Sequence, residues 1–351
     1  MKKIFVILLF PSLALAWGGR GHDAICVAAS FLVKDKNLAE FLKYRSHVMG
    51  HLCNIPDTYW KGLPAEITKV GNPTHFIDPE VTGLKVSEIP NDYATVVKEF
   101  TGKDNKIKPN AKIFSVPDDV GSVWWRADQF MRRIAQLDFK EATPPEKKQE
   151  QDDKLPYNAN VYQMWVNMGL MGHFVGDAAQ PFHSSADYDG YMHGHGGIHS
   201  YYEEQVVAQI GQELPDLIVK KAKILKSPSF LKPKNTVEKM KELSVLSNKD
   251  IEKIFKLDPV IKKSEVIKDK GMEIRTAAER KSPEAGLKVF KPMIIEEMAR
   301  SATLLANLWD AAYASVGRPD LSKYRSYKYP FTPDFVPPDY IPALATEKAT
   351  K

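Results

Sequence analysis

Five of the nine histidines in this 351-residue chain fall in one 27-residue stretch: His173, His183, His193, His195 and His199. His173 and Asp177 stand four residues apart, as do His199 and Glu203, so on helices each pair projects from one face. Neutral imidazole with carboxylate is the donor set that suits Zn2+, and two residues one turn apart can grip one ion. Pro181 bends or ends the first helix and lets His183 turn back toward the same space. A lone buried histidine is ordinarily a hydrogen-bonded core group. Five of them with two spaced carboxylates point instead to metal binding. His193 and His195, in the segment Tyr191–Gly197, read as exposed loop histidines near the site. His47 and His51 share the four-residue spacing, but Gly50 lies between them and no carboxylate follows at helical spacing, so they read as unrelated to it. Two further donors are needed to fill more than one site. His75 follows Pro73 and is expected on an irregular segment, and Asp57 in IPDTYWK is expected where a loop meets a helix.

The elements that must position these residues read as helices. Apolar spacing predicts helices over 24–33, 38–44, 93–100, 123–137 and 161–179, then over 198–210, 217–225, 237–246 and 251–255. A long amphipathic pattern follows over 293–314, with Ile294, Met298, Ala302, Leu305 and Leu308 on one stripe, and Gly317-Arg318-Pro319 stops it. Strand signals are weak. Residues 141–156 form a charged, proline-bearing loop. Residues 220–270 are lysine-rich with interleaved acids, which suits the solvated faces of helices better than a nucleic-acid stripe. The proline-bearing tail from Tyr329 is expected to run extended over the surface. The fold class expected is all-α: one mainly helical domain over 17–316, including a lysine-rich helical region over 217–292, and an extended tail over 317–351.

Composition is that of a globular chain, with 43% hydrophobic and 26% charged residues, which excludes disorder, collagen-like repeats and a multi-span membrane protein. Lys2 and Lys3, an apolar run from Ile4 to Leu13 and Ala14-Leu15-Ala16 have the layout of a secretory leader over 1–16. Its removal would start the chain at Trp17, lower the formal net charge from +5 to +3 by taking away two lysines, and leave no stable transmembrane segment. So mild a charge is no argument for nucleic acid. Export, to a periplasm or beyond the cell, would let Cys26 and Cys53 pair, while two buried thiols fit the sequence equally well. Nothing in the pattern specifies an oligomer.

These motifs together resemble the superfamily that joins zinc-dependent phospholipase C and the S-one/P-one single-strand nucleases. The opening W-G-x-x-G-H stands here as WGGRGH, H-F-x-D as HFID, H-x-x-G-D-x-x-Q-P-x-H is complete from His173 to His183, and H-x-x-x-D/E is HSYYE. The match lies between Trp17 and Glu203 and weakens beyond. The resemblance implies three zinc ions. Asp57, His75, His173 and Asp177 would hold one; Trp17, through its free amine and carbonyl, His22 and Asp177 a second; His183, His199 and Glu203 the third. It implies phosphodiester hydrolysis by a hydroxide bridging the zinc pair, with Asp57 as the catalytic residue that orients or deprotonates the water.

The substrate expected is single-stranded DNA or RNA, with phosphatidylcholine-like lipid as the alternative. The histidine five residues after Trp17 resembles the nucleases. The short step from His183 to His199, the acid Glu203 and HFIDPE resemble the phospholipases. Neither the nucleases' base-binding residues nor the phospholipases' choline box is evident, since Arg20, Thr58 and Asn72 occupy the latter's positions. Lys61, Phe76, Tyr188 and Tyr191 are candidate substrate contacts, and Tyr59 and Trp60 could stack on bases or pack the core. A reading of another class is a non-catalytic exported zinc-binding module acting through its lysine-rich half.

Overall fold

Apolar residues at helical spacing dominate the chain, and helices are what they form in the computed structural model, which describes residues 17–226, 228–269 and 272–341. The leader expected over 1–16 and the last proline of the tail, Pro342, lie outside the described residues. In chain order the helices are α1 (Gly18–Ser30), α2 (Lys36–Lys43), α3 (Ser46–Thr58), α4 (Ala65–Gly71), α5 (Tyr93–Phe100), α6 (Val116–Val120), α7 (Val123–Ala135) and α8 (Pro156–Ala179). The short α9 (Ile198–Ser200) runs into a π-helix, Tyr201–Val206. Then come α10 (Leu214–Ala222), α11 (Thr236–Asn248), α12 (Ile251–Leu257) and α13 (Pro283–Ser315).

The centre is α8. Its Met164, Trp165, Met168, Phe174 and Val175 are buried, and a helix apolar around its circumference must be surrounded. α1, α3, α7, α11 and α13 all pack against it. Glycines permit this closeness. A Cβ on Gly172 would stand 2.2 Å from Cys26 Sγ, and one on Gly176 would stand 2.6 Å from His22 Nδ1. Cys26 and Cys53 form a disulfide that ties α1 to α3, which decides the pairing the sequence left open. No helix among the described residues is long and apolar enough to cross a membrane.

Several expectations are corrected. The lysine-rich region over 217–292 is not helical throughout. Residues β1 (Val260–Lys262) and β4 (Glu279–Arg280) pair antiparallel, and between them β2 (Glu265–Asp269) and β3 (Met272–Thr276) form a hairpin with Ile267 opposite Ile274. The β-branched residues Val260, Ile261, Val266, Ile267, Ile274 and Thr276 favour strands over a helix there. Helices α3 and α4 were not expected; Gly50 and Pro56 inside α3 hide its period. The helix expected over 198–210 is broken into α, π and 3-10 turns. The tail is extended but not merely superficial: Trp60 donates from Nε1 to the Pro333 carbonyl at 2.9 Å, and Gln129 donates to that of Pro337 at 2.7 Å.

Candidate metal centre

Three helices bring their donors to one point beside the disulfide. His22 lies one turn before Cys26 on α1, and Asp57 lies one turn after Cys53 on α3. The S–S bond therefore fixes both helices close to their candidate ligands. His173 and Asp177 lie one turn apart on α8. Asp57 sits in the last turn of α3 behind Pro56, not where a loop enters a helix as expected. His75 follows a 3-10 turn, Asn72–Thr74, as its irregular setting predicted. The residues around His75 latch onto the 3-10 turn Pro181–Ser184 that follows α8: Ile77 donates its N–H to the His183 carbonyl at 2.9 Å, and His183 Nδ1 meets the His75 carbonyl at 2.7 Å.

The donor atoms form three buried groups: His22, His173 and Asp177; Asp57, His75 and His173; and His183, His199 and Glu203. Atom positions show how they divide. His173 Nδ1 is used on the Cys53 carbonyl at 2.8 Å, so only Nε2 faces the cluster. That nitrogen lies 2.9 Å from His75 Nδ1, 3.5 Å from Asp57 Oδ1 and 3.3 Å from Asp177 Oδ2. His75 Nδ1 in turn lies 3.6 Å from Asp57 Oδ1 and 3.0 Å from Asp177 Oδ2. One imidazole nitrogen serves one ion, whereas a carboxylate has two oxygens. The second oxygen, Asp177 Oδ1, faces His22 Nε2 at 3.4 Å and His183 Nδ1 at 3.9 Å. Asp177 is thus the group able to join two sites. In the third group His199 Nε2 lies 3.2 Å from His183 Nε2 and 2.9 Å from Glu203 Oε2.

These separations fit a metal. A tetrahedral ion with ligands at about 2.0–2.1 Å holds them roughly 3.3 Å apart, the middle of the range found here. The charges fit as well. Burial, with neighbouring cations adding to it, holds His75, His173 and His183 well below the ordinary imidazole pKa, so each keeps a lone pair for an ion. For His199 burial pulls the same way, but the Glu203 carboxylate outweighs it and the pKa rises. Burial, reinforced by Asp57, pushes Asp177 well above the carboxylate range, and burial also raises Glu203. Asp177 Oδ1 and Glu203 Oε1 are buried and accept no hydrogen bond from the described residues. Buried carboxylate oxygens with spare lone pairs, beside His75, His173 and His183 held neutral by burial, are suited in geometry and in charge to hold a cation.

The remaining predicted residues divide. Trp17 is fully buried, and its backbone N lies 3.0 Å from Glu203 Oε2, so it approaches the third group, although the resemblance paired it with His22 and Asp177. Lys61 Nζ lies 2.6 Å from Asp57 Oδ1. The half-exposed Tyr188 stands edge-on to His199, ring centres 5.8 Å apart. Tyr191 lies farther out under the Arg275 guanidinium at 5.1 Å, and half-buried Phe76 packs on Gly121. Trp60 belongs to the core, stacked on Phe130, and Tyr59 packs against that core. His47 is exposed and His51 bonds the tail carbonyls of Pro330 and Phe331, so neither joins the centre, as expected. His193 is exposed as expected, but His195 is not: it stacks on Phe255 and pairs with Asp258 at 2.8 Å, because β1 and β4 pack on its loop.

Sequence reasoning gave no role to Gln180. Its Oε1 accepts the N–H groups of Phe182 and His183, and its Nε2 donates to Glu203 Oε2 at 2.7 Å. The signal was its place immediately before Pro181, where a side-chain acceptor caps the next turn. Glu203 lies in the π-helix, a distortion frequent at functional sites. No protein-family model matches this chain, and no curated protein matches it in sequence.

Proposed function

We propose that the chain is an exported, zinc-dependent phosphodiester hydrolase of the phospholipase C/S-one/P-one nuclease type, acting on single-stranded nucleic acid. The observation that carries this reading is the division of donors around Asp177: one four-donor set, a second set reached through its other oxygen, and a third set at His183, His199 and Glu203. Zinc ions bound there would lower the pKa of water and neutralise phosphate charge. Asp57 orients the attacking water and receives its proton. Water adds to phosphorus, the bond to the leaving sugar oxygen breaks, and the proton passes to that oxygen. Lys61, against Asp57, offers a positive charge to a phosphate oxygen. Tyr188 offers a half-exposed ring beside His199 on which a base can stack. Gln180 and the Trp17 N–H hold Glu203 in place.

A phosphatidylcholine-like substrate is the second reading, favoured by Val266, Ile267 and Ile274, which stand exposed on the β2–β3 hairpin; Val266 lines the same groove as Tyr188. The test is turnover of protein beginning at Trp17, loaded with zinc, on single-stranded DNA, RNA and phosphatidylcholine, each with a chelator control. Chelator-sensitive nucleotide release is expected. Phosphocholine release would move the assignment to the lipid, and zinc binding without turnover on any of the three would refute the hydrolase.

A further inference from the structure

Far from the histidines, the tail carries alternating cations and aromatics: Lys323-Tyr324-Arg325-Ser326-Tyr327-Lys328-Tyr329. With the start of α3 and the loop before α8, it lines a groove of about 720 Å3. Lys147, Lys148, Arg325 and Lys328 are exposed along that groove, whose lining also includes Glu150; none of the four makes an ion pair among the described residues, and Lys328 Nζ lies 4.1 Å over the Tyr162 ring. Four left together are a field that attracts a polyanion. Two large aromatic surfaces stand out of the groove, Tyr44 at the end of α2, 72% exposed, and Tyr327 of the tail, 86%, with Phe331 farther along the tail at 69%. Such rings are costly to leave in water and are the platforms on which bases stack.

The groove has a direction. The tail runs alongside α3 from its first turn to its last. Tyr44, His47 and Val48 share the groove with Arg325 and Tyr327; His51 bonds the Pro330 and Phe331 carbonyls at 3.1 and 3.0 Å; Trp60 bonds the Pro333 carbonyl and meets Phe335 edge-on at 5.3 Å. Asp57 and Lys61 lie at that far end. A second groove, of about 550 Å3 and lined by Lys328 through Pro337, continues the path.

We infer that the Tyr44–Arg325–Tyr327 groove binds single-stranded nucleic acid outside the metal centre and that the tail guides the strand along α3 toward Asp57. Four exposed cations beside the exposed rings of Tyr44 and Tyr327 offer partners to both phosphate and base. A lipid surface also attracts tyrosines and basic residues, and the vesicle arm of the test distinguishes it. The inference rests on the nucleic-acid reading of the function, and its test separates the two.

The probe is a fluorescein-labelled, phosphorothioate-linked oligothymidylate that resists hydrolysis, with anisotropy measured against zinc-loaded protein over a range of salt. Combined Lys148→Glu, Arg325→Glu and Lys328→Glu reversal is expected to lower affinity and to reduce the slope of log affinity against log salt by about 2, since each phosphate contact contributes about 0.7 on single strands. Tyr327→Ala is expected to cost about tenfold in affinity through lost stacking. Turnover of the small diester bis(p-nitrophenyl) phosphate, too short to reach the groove, is expected to stay unchanged in both variants, which also shows that they fold. Unchanged affinity and slope would overturn the inference while leaving the hydrolase intact. Loss of binding to phosphatidylserine vesicles, with oligothymidylate binding unchanged, would overturn it in favour of a membrane surface. Failure of the wild type to cleave the small diester would sink the proposed function, and the binding comparison would still decide the groove.

Discussion

Asp177→Asn is expected to act with opposite signs on the metal-free and the metal-loaded protein. The side chain is fully buried, and its two oxygens face different imidazoles: His75 and His173 from Oδ2, His22 and His183 from Oδ1. Without metal, the carboxylate charge is a burden there, because burial and Asp57 both oppose it. An amide of the same shape removes that burden, so the metal-free variant is expected to be at least as stable as the metal-free wild type. With metal, the amide is a poor ligand to both sites that share it. A site held at about 1,000 times its dissociation constant stabilises the fold by about 4 kcal/mol. The unfolding entropy of a chain this size is roughly 0.7 kcal/mol/K, so each site is worth about 6 °C in Tm. Wild type should therefore rise by about 18 °C across three bound ions, and Asp177→Asn by about 6 °C. Calorimetry through a zinc titration, with elemental analysis of the bound metal, reads both numbers. A variant that still binds three ions, or whose metal-free form melts far below the wild type, would refute the sharing of Asp177.

Other expectations follow from the same contacts. His173→Ala should lose one zinc and turnover while the His183, His199 and Glu203 site still fills, which equilibrium dialysis can count. Breaking the disulfide with Cys26→Ser and Cys53→Ser should cost about 3.5 kcal/mol for a loop of this length in the chain-entropy model, measured by urea unfolding. Gly172→Ala places a Cβ 2.2 Å from Cys26 Sγ and should destabilise by about 1–3 kcal/mol in the same assay. Glu297 is fully buried, its Oε2 accepting from Tyr202 at 2.7 Å, and burial raises it well above the carboxylate range. The folded state therefore holds a proton that the unfolded state has lost, and this contribution is present below the unfolded carboxylate pKa and declines as pH rises toward the folded value. Glu297→Gln should remove that part of the pH dependence and leave the protein more stable than wild type at high pH.

The sequence by itself determined what is set by covalent spacing. The four-residue steps His173–Asp177 and His199–Glu203 put each pair on one face of a turn whatever surrounds it, and both pairs are found so. The apolar period likewise specified α5, α7, α8, α11 and most of α13. Where local signals conflicted, the sequence was silent or misleading. Gly50 and Pro56 concealed α3, and with it the setting of Asp57. Residues 260–280 form paired strands because their stability comes from cross-strand partners, such as Ile274 for Ile267, whose seven-residue spacing a helix would also allow, so the period alone did not separate the two.

Only the tertiary structure decided which atoms converge. Nothing in the spacing shows that Cys26 bonds Cys53, that Gly172 and Gly176 let α1 and α3 close on α8, or that the Cys53 carbonyl takes His173 Nδ1 and leaves Nε2 for the centre. The same packing took His195 out of solvent and laid the tail along α3. The physical reason is range. Helical geometry fixes neighbours within a turn, but the meeting of residues more than a hundred positions apart depends on how closely whole helices can pack, and here that is set by glycines and a disulfide that carry no donor atoms of their own.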